Sequence, residues 1–312
     1  MVFLNALEGV LVLVLIGVTG YVIAARKWIG EETRHFLPRL ITNISLPPYL
    51  MMNIMEHMER DHIFELLKGV LAPMISVITA FFLALLMAFV FRVHKRHRGL
   101  FCASVSNSNT IFIGIPVNIA LFGNESMPFV LLYYIASTIF FWTVGQCAII
   151  YDKEAKKGAF FRHVTLSKIL SPPLLGFLTG LLLTICGVEL PVFVKSAAVY
   201  LGNITTPLSM MFIGISMYDI GMIHIRPDKD MILLIFGRMI MAPCLMFLLT
   251  QLFSLPPLMT KVFVVQSSLP VMMQAAILSA YYDADKTFGS EAVAATTLLS
   301  IFFIPILMTI LH

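Results

Sequence analysis

The sequence predicts an all-α polytopic membrane protein of ten transmembrane helices, folded as a 5+5 inverted repeat with two crossing broken helices. Three observations predict it. The 312 residues are 59% hydrophobic and only 12% charged, half the roughly 25% charge of soluble domains. Ten apolar stretches each approach the ~20 residues that a helix needs to cross a bilayer core. Two proline-bearing polar sequences also recur in corresponding stretches of the two halves, and paired interruptions of this kind point to a binding site at the membrane midplane.

The spans read as 3–24, 36–55, 70–91, 99–122, 127–150, 167–187, 193–221, 231–253, 259–281 and 290–311. The first basic residue is Arg26, so the first run lacks the positive start of a cleavable signal and reads as a span. Connections between spans are short. The longest, 151–166, carries DKEAKK and links a first repeat at 1–150 (spans 1–5) to a second at 167–312 (spans 6–10). With the N-terminus outside, fifteen Lys and Arg fall in inner loops and four (Arg60, Lys68, Lys195, Lys261) in outer ones. Positive charge stays in the cytoplasm, so both termini are expected outside. An odd number of spans per half then gives the halves opposite topology.

The repeat is visible in the residues. Span two reads TNISLPPYL and span seven GNITTPLSM; both contain N-I-[ST]-x-P, with Asn43 and Asn203 set 160 residues apart. Span four breaks at Gly114, Ile115 and Pro116, and span nine at Ser268, Leu269 and Pro270; the two prolines are 154 residues apart. Proline suits the first turn of a restarting half-helix because no N–H is needed there. Half-helix N-termini present free N–H groups and a positive dipole end to an anion.

The candidate site follows from these breaks. Asn109 and Thr110 approach the first break within SVSNSNT. A side-chain amide offers two donors and an acceptor and can hold a carboxylate without changing charge. Ser268, Pro270 and Gln274 approach from the other half, and Asn43 and Asn203 are read either as a polar wall or as satisfied helix kinks. Each of these residues also has a structural reading, bonding freed carbonyls or neighbouring helices. Arg238 lies inside span eight, where a buried charge suggests function and a long side chain can also snorkel to the headgroups; Arg39 is shallower.

Several classes are excluded or disfavoured. The basic residues cluster in one set of loops, which does not suit a nucleic-acid surface. Cys102, Cys147, Cys186 and Cys244 are isolated, with no metal-binding spacing. No phosphate loop, paired catalytic carboxylates or nucleophile triad occurs, so an enzyme is not expected and no catalytic or metal residue is assigned. Asp and Glu are missing from mid-depth, so a coupling ion, proton or sodium, is possible but has no evident ligand.

From Asn109 to Gly123 the chain reads NTIFIGIPVNIALFG, which resembles the first crossover of the auxin efflux carrier family; LGNITTPLSMMFIGISM and SSLPVMMQAAILSAYY resemble its bacterial malate and malonate permease branch. The resemblance covers nearly the whole chain and lacks the long loop of many plant carriers. It implies the fold of bile acid:sodium symporters, with spans 1, 2, 6 and 7 as a scaffold that forms a homodimer and spans 3–5 and 8–10 as a moving transport domain. It implies secondary transport of a small organic anion by an elevator mechanism, in a bacterial inner membrane, with the family's crossover Asn at Asn109. A sodium-coupled carrier of the bile acid type and a receptor that does not transport are the alternatives.

Overall fold

The computed structural model describes residues 2–57, 69–152, 172–220, 228–282 and 284–311. Among them the chain is helical, apart from loops and one isolated two-residue bridge. In chain order the helices are α1 (Val2–Ala25), α2 (residues 31–57), α3 (Leu71–Val90), α4 (Arg98–Ser106), α5 (Gly114–Phe122) and α6 (residues 127–151). The second half supplies α7 (Pro172–Cys186), α8 (Val192–Asn203), α9 (Thr205–Ile220), α10 (Lys229–Leu252), α11 (Pro257–Ser268), α12 (Met273–Tyr281) and α13 (Lys286–Ile310).

Six helical stretches are long and apolar enough to cross a membrane: Glu8–Ala25, Leu71–Val90, Asn124–Tyr151, Val192–Asp219, Lys229–Leu252 and Lys286–Ile310. Four of the predicted spans are not among them, for separate reasons. α2 has the length but begins with Glu31, Glu32 and Arg34 and carries Asn43, Asn53 and three prolines. The stretches 98–122 and 257–281 are each split into two short helices. α7 is apolar but has only 15 described residues. The charged linker expected at 151–166 lies almost wholly outside the described residues, as do Arg60, Lys68 and Arg226. The predicted seventh span is two helices that meet at Ile204.

Small residues decide which helices touch. α3 buries Ala80, Ala84 and Ala88 on one stripe while Phe82, Leu86 and Phe89 are exposed. That inversion suits a helix whose other face meets lipid tails, where association depends on close packing. α7 lies on α2 through Gly176 and Gly180, where a Cβ would run into the backbones of Pro47 and Met51. α1 lies on α9 in the same way: a Cβ at Gly20 would overlap the Met211 backbone, and one at Gly214 the Gly17 carbonyl.

These contacts sort the helices. α2 packs on α7 and α8, and α9 packs on α1 and on the start of α2. The others form a second set: α3 packs on α4, α6 and α10; α11 on α10 and α6; and α12 on α13, α4 and the end of α6. The sets meet where α1 contacts α5 and α13, where α2 contacts α6, and where α9 contacts α5 and α13. The two N-I-[ST]-x-P sequences also meet: the hydroxyls of Ser45 and Thr205 share a hydrogen bond, and Ser45 donates to the Leu201 carbonyl at 2.9 Å.

His97 fastens the second set at the start of α4. Its ring nitrogens lie 2.9 Å from Asp230 and 3.1 Å from Asp285, at the first turn of α10 and just before α13, and it stacks on Phe288.

A bulkier residue at a backbone contact should damage this packing. Gly214→Leu is expected to cost at least the ~1–3 kcal/mol of core overpacking, read as a lower thermal midpoint in detergent. Gly30→Ala, at a position with open space around it, is expected to leave the midpoint unchanged.

Candidate functional site

The site grows from the way α4 ends. Ser106 donates to the Cys102 carbonyl at 2.9 Å, and the Asn107 amide donates to the Ala103 carbonyl at 3.1 Å and to Ser106 Oγ at 2.8 Å. The Asn107 N–H also donates to the Ala103 carbonyl at 3.1 Å, so the side chain adds a second donor in the last turn of α4. Asn107 then turns extended, with φ −115° and ψ 130°, and Ser137 donates to its Oδ1 at 3.3 Å.

The two breaks pair directly. Ser108 forms an antiparallel bridge with Val271; the Asn109 N–H donates to the Pro270 carbonyl at 2.9 Å and the Met272 N–H to the Asn107 carbonyl at 3.3 Å. Val271 N–H donates to Thr296 on α13 at 3.1 Å. α5 starts at Gly114, whose N–H donates to the Asn109 carbonyl at 3.0 Å. Glycine at 114 lets the side-chain ends of Gln266 and Leu269 come close, where a Cβ would crowd them. In hydrocarbon each of these backbone groups, left unpaired, would cost several kcal/mol.

A cavity of about 240 Å³ opens beside this crossing, with Asn109, Thr110 and Gln274 on its wall together with Thr42, Thr138 and Trp142. Asn109 is buried, and among the described residues its Nδ2 has no hydrogen-bond partner. No Asp, Glu, His, Lys or Arg appears in the described lining. An unpaired amide donor and several hydroxyls in such a place can bind a carboxylate by hydrogen bonds alone.

The other predicted residues lie elsewhere. Ile115 and Pro116 are buried in α5, and Ser268 donates to the Val265 carbonyl at 2.8 Å. Pro270 does not open a half-helix, as the sequence suggested; it stays in the extended break, where its carbonyl accepts the Asn109 N–H, and α12 starts only at Met273. Asn43 is exposed beside the lining residue Thr42, and Asn203 faces a separate polar recess with Tyr49, Asn53, Glu56 and Asn124. Thr42, Thr138 and Trp142 were not singled out from the sequence. Thr42 and Trp142 sit in π-helical turns at Ile41–Ser45 and Phe141–Gly145, features that often mark functional sites and have no clear local sequence signal.

Arg238 does not snorkel. It is completely buried, and its guanidinium donates to the Val105 carbonyl at 2.7 Å and to the Ser267 carbonyl, next to the last residues of α4 and α11. The other end of α4 is held by Asp152, whose carboxylate accepts from the N–H groups of Gly99 at 2.6 Å and Leu100 at 2.8 Å.

A bundle of membrane-crossing helices built round two paired broken helices, with a cavity of mixed polar and apolar lining at their crossing, is the architecture of a membrane transporter. The chain belongs to the membrane transport protein family, whose model matches residues 5–308, the auxin efflux carrier family that the crossover motif resembles. It is 24% identical to an uncharacterized transporter of Methanothermobacter thermautotrophicus over the full length of both chains. It is 25% identical to an uncharacterized transporter of Methanocaldococcus jannaschii, covering 95% of this chain and 94% of the relative.

Burial pushes the Asp152 carboxyl up from 3.8 to about 6, against the pull of the two N–H donors. The fold therefore holds the proton more tightly than the unfolded chain does. The stabilisation from this group is complete below about pH 4 and is lost as pH rises through about 6. The difference in thermal midpoint between wild type and Asp152→Asn is expected to fall across that window, as measured in detergent from about pH 4 to 7.

Proposed function

We propose that the chain is a secondary carrier of small organic anions, carboxylates such as malate, malonate or an auxin-like acid, bound at the crossover by Asn109, Thr110 and Gln274. The observation that carries the reading is the Asn109 amide: buried, on the cavity wall and with an Nδ2 that lacks a partner. A buried donor left unpaired costs ~1–3 kcal/mol, a cost that a bound carboxylate removes. Hydrogen-bond donors without a fixed charge in the wall suit an anion that must also leave.

In this reading the ten predicted spans form two inverted halves with both termini outside. α1, α2, α7, α8 and α9 serve as a dimerising scaffold, and the remaining helices carry the crossover as one body in an elevator-type movement. The sorting of helix contacts supports that division, and the Ser45–Thr205 hydrogen bond supports the repeat. A negative-inside potential favours export, at ~2.3 kcal/mol per charge per 100 mV.

The test is reconstitution in liposomes with labelled malate, malonate and an indole acid, imposing sodium, proton and voltage gradients separately. Saturable uptake with counterflow is expected for at least one of them; binding without counterflow would identify a receptor instead. Removing a hydrogen bond to a charged group costs ~1.5–3 kcal/mol, so Asn109→Ala should weaken substrate binding by about tenfold or more. Unchanged binding and flux in that variant would refute the site.

A further inference from the structure

Broken-helix carriers divide their labour: half-helix N-termini face the anion, while half-helix C-termini and unwound carbonyls coordinate the cation that drives the cycle. Here both C-termini at the crossover are already occupied. α4 ends at Ser106 and α11 at Ser268, and the residue before each, Val105 and Ser267, offers its carbonyl to the same guanidinium.

We propose that Arg238 is a tethered cation that takes the place of a coupling cation at the crossover, so that anion movement proceeds without sodium or proton symport. The proposal rests on the reading of this site as an anion carrier.

The charges balance. Each helix C-terminus carries the equivalent of about −0.5 charge, so two of them together offset one guanidinium. A carboxylate partner is not needed, and no salt bridge to Arg238 occurs among the described residues. A guanidinium does not release its proton under physiological conditions, so the group is a fixed charge and not a relay.

The placement is built into α10. Arg238 lies in a π-helical turn, Gly237–Met241, and Gly237 rests on Val105 so closely that a Cβ would stand 3.0 Å from its side chain. That contact brings α10 near enough for the guanidinium to reach both carbonyls. A lipid-facing or snorkelling arginine would need none of this, and Arg238 has no exposed surface.

The test compares wild type with Arg238→Lys, which keeps the charge, and Arg238→Gln, which keeps hydrogen bonding without it. Two readouts are used: thermal midpoint in detergent and flux of labelled malonate in proteoliposomes, each in sodium, in choline, and in choline with millimolar guanidinium. Wild type and Arg238→Lys are expected to show the same midpoint and flux in sodium as in choline. Arg238→Gln is expected to lose at least tenfold in flux in choline, with a lowered midpoint, and to recover part of both when sodium or guanidinium is added. Sodium dependence of the wild type overturns the proposal, as does an Arg238→Gln protein that matches wild type in choline. If Arg238→Gln is not recovered folded, Arg238→Lys decides: sodium-independent flux supports the tethered cation, and absent or sodium-dependent flux in the folded protein overturns it. Cation rescue of the Arg238→Gln midpoint in a protein that moves no organic anion supports the tethered cation while overturning the transport reading. Anion flux in wild type with an Arg238→Gln variant indifferent to every cation does the reverse.

Discussion

Hydrocarbon offers no hydrogen bonds, so a helix that breaks inside a membrane must find partners for each backbone group it releases. The architecture around residues 107–113 and 269–272 answers that constraint. The two breaks exchange main-chain hydrogen bonds, Thr296 and Arg238 take up groups that remain, and Ser106 and Asn107 add side-chain donors in the last turn of α4. Each break is stable only because the other lies against it. The crossing is therefore a joint product of both halves of the chain, and a polar cavity can form there because the backbone has already been satisfied.

The same economy governs packing. Lipid tails are as apolar as Leu or Phe, so large side chains gain little by turning inward, and close contact between backbones decides which helices associate. Glycines at 176 and 180 fit α7 to α2, and glycines at 20 and 214 fit α1 to α9, while Phe82 and Phe89 of α3 face outward. At the crossover itself Gly114 and Gly237 admit side chains, one those of Gln266 and Leu269 and the other that of Val105. The position of the site is thus set by residues that have no side chain to contribute to it.

Much of this was legible in the sequence because it is written in short, unusual strings. SNSNT and GIPV have no place in an uninterrupted span, and their partner around Ser268–Pro270 could be found by its offset. The N-I-[ST]-x-P repeat was legible too, but the asparagines drew attention while the contact runs through the third position, Ser45 and Thr205. Thr42, Thr138 and Trp142 were not legible: no local pattern sets them apart from their neighbours, and their place in the bundle brings them to the cavity, two of them in π-helical turns. Arg238 was conspicuous, but its partners lie 133 and 29 residues away in the chain, and only the meeting of two helix ends reveals what it holds. A proline after an apolar helix resembles a restart, whereas Pro270 stays in the non-helical break before α12.

The hydrogen bonds that join the two breaks run from Asn109 to Pro270 and from Met272 to Asn107, and all four atoms belong to the main chain. Main-chain pairing is indifferent to the side chains beyond it. Substitutions at 109, 110 and 274 can therefore change the wall of the cavity without dismantling the crossing that supports it. A framework of this kind lets the lining of the cavity drift while the architecture is inherited.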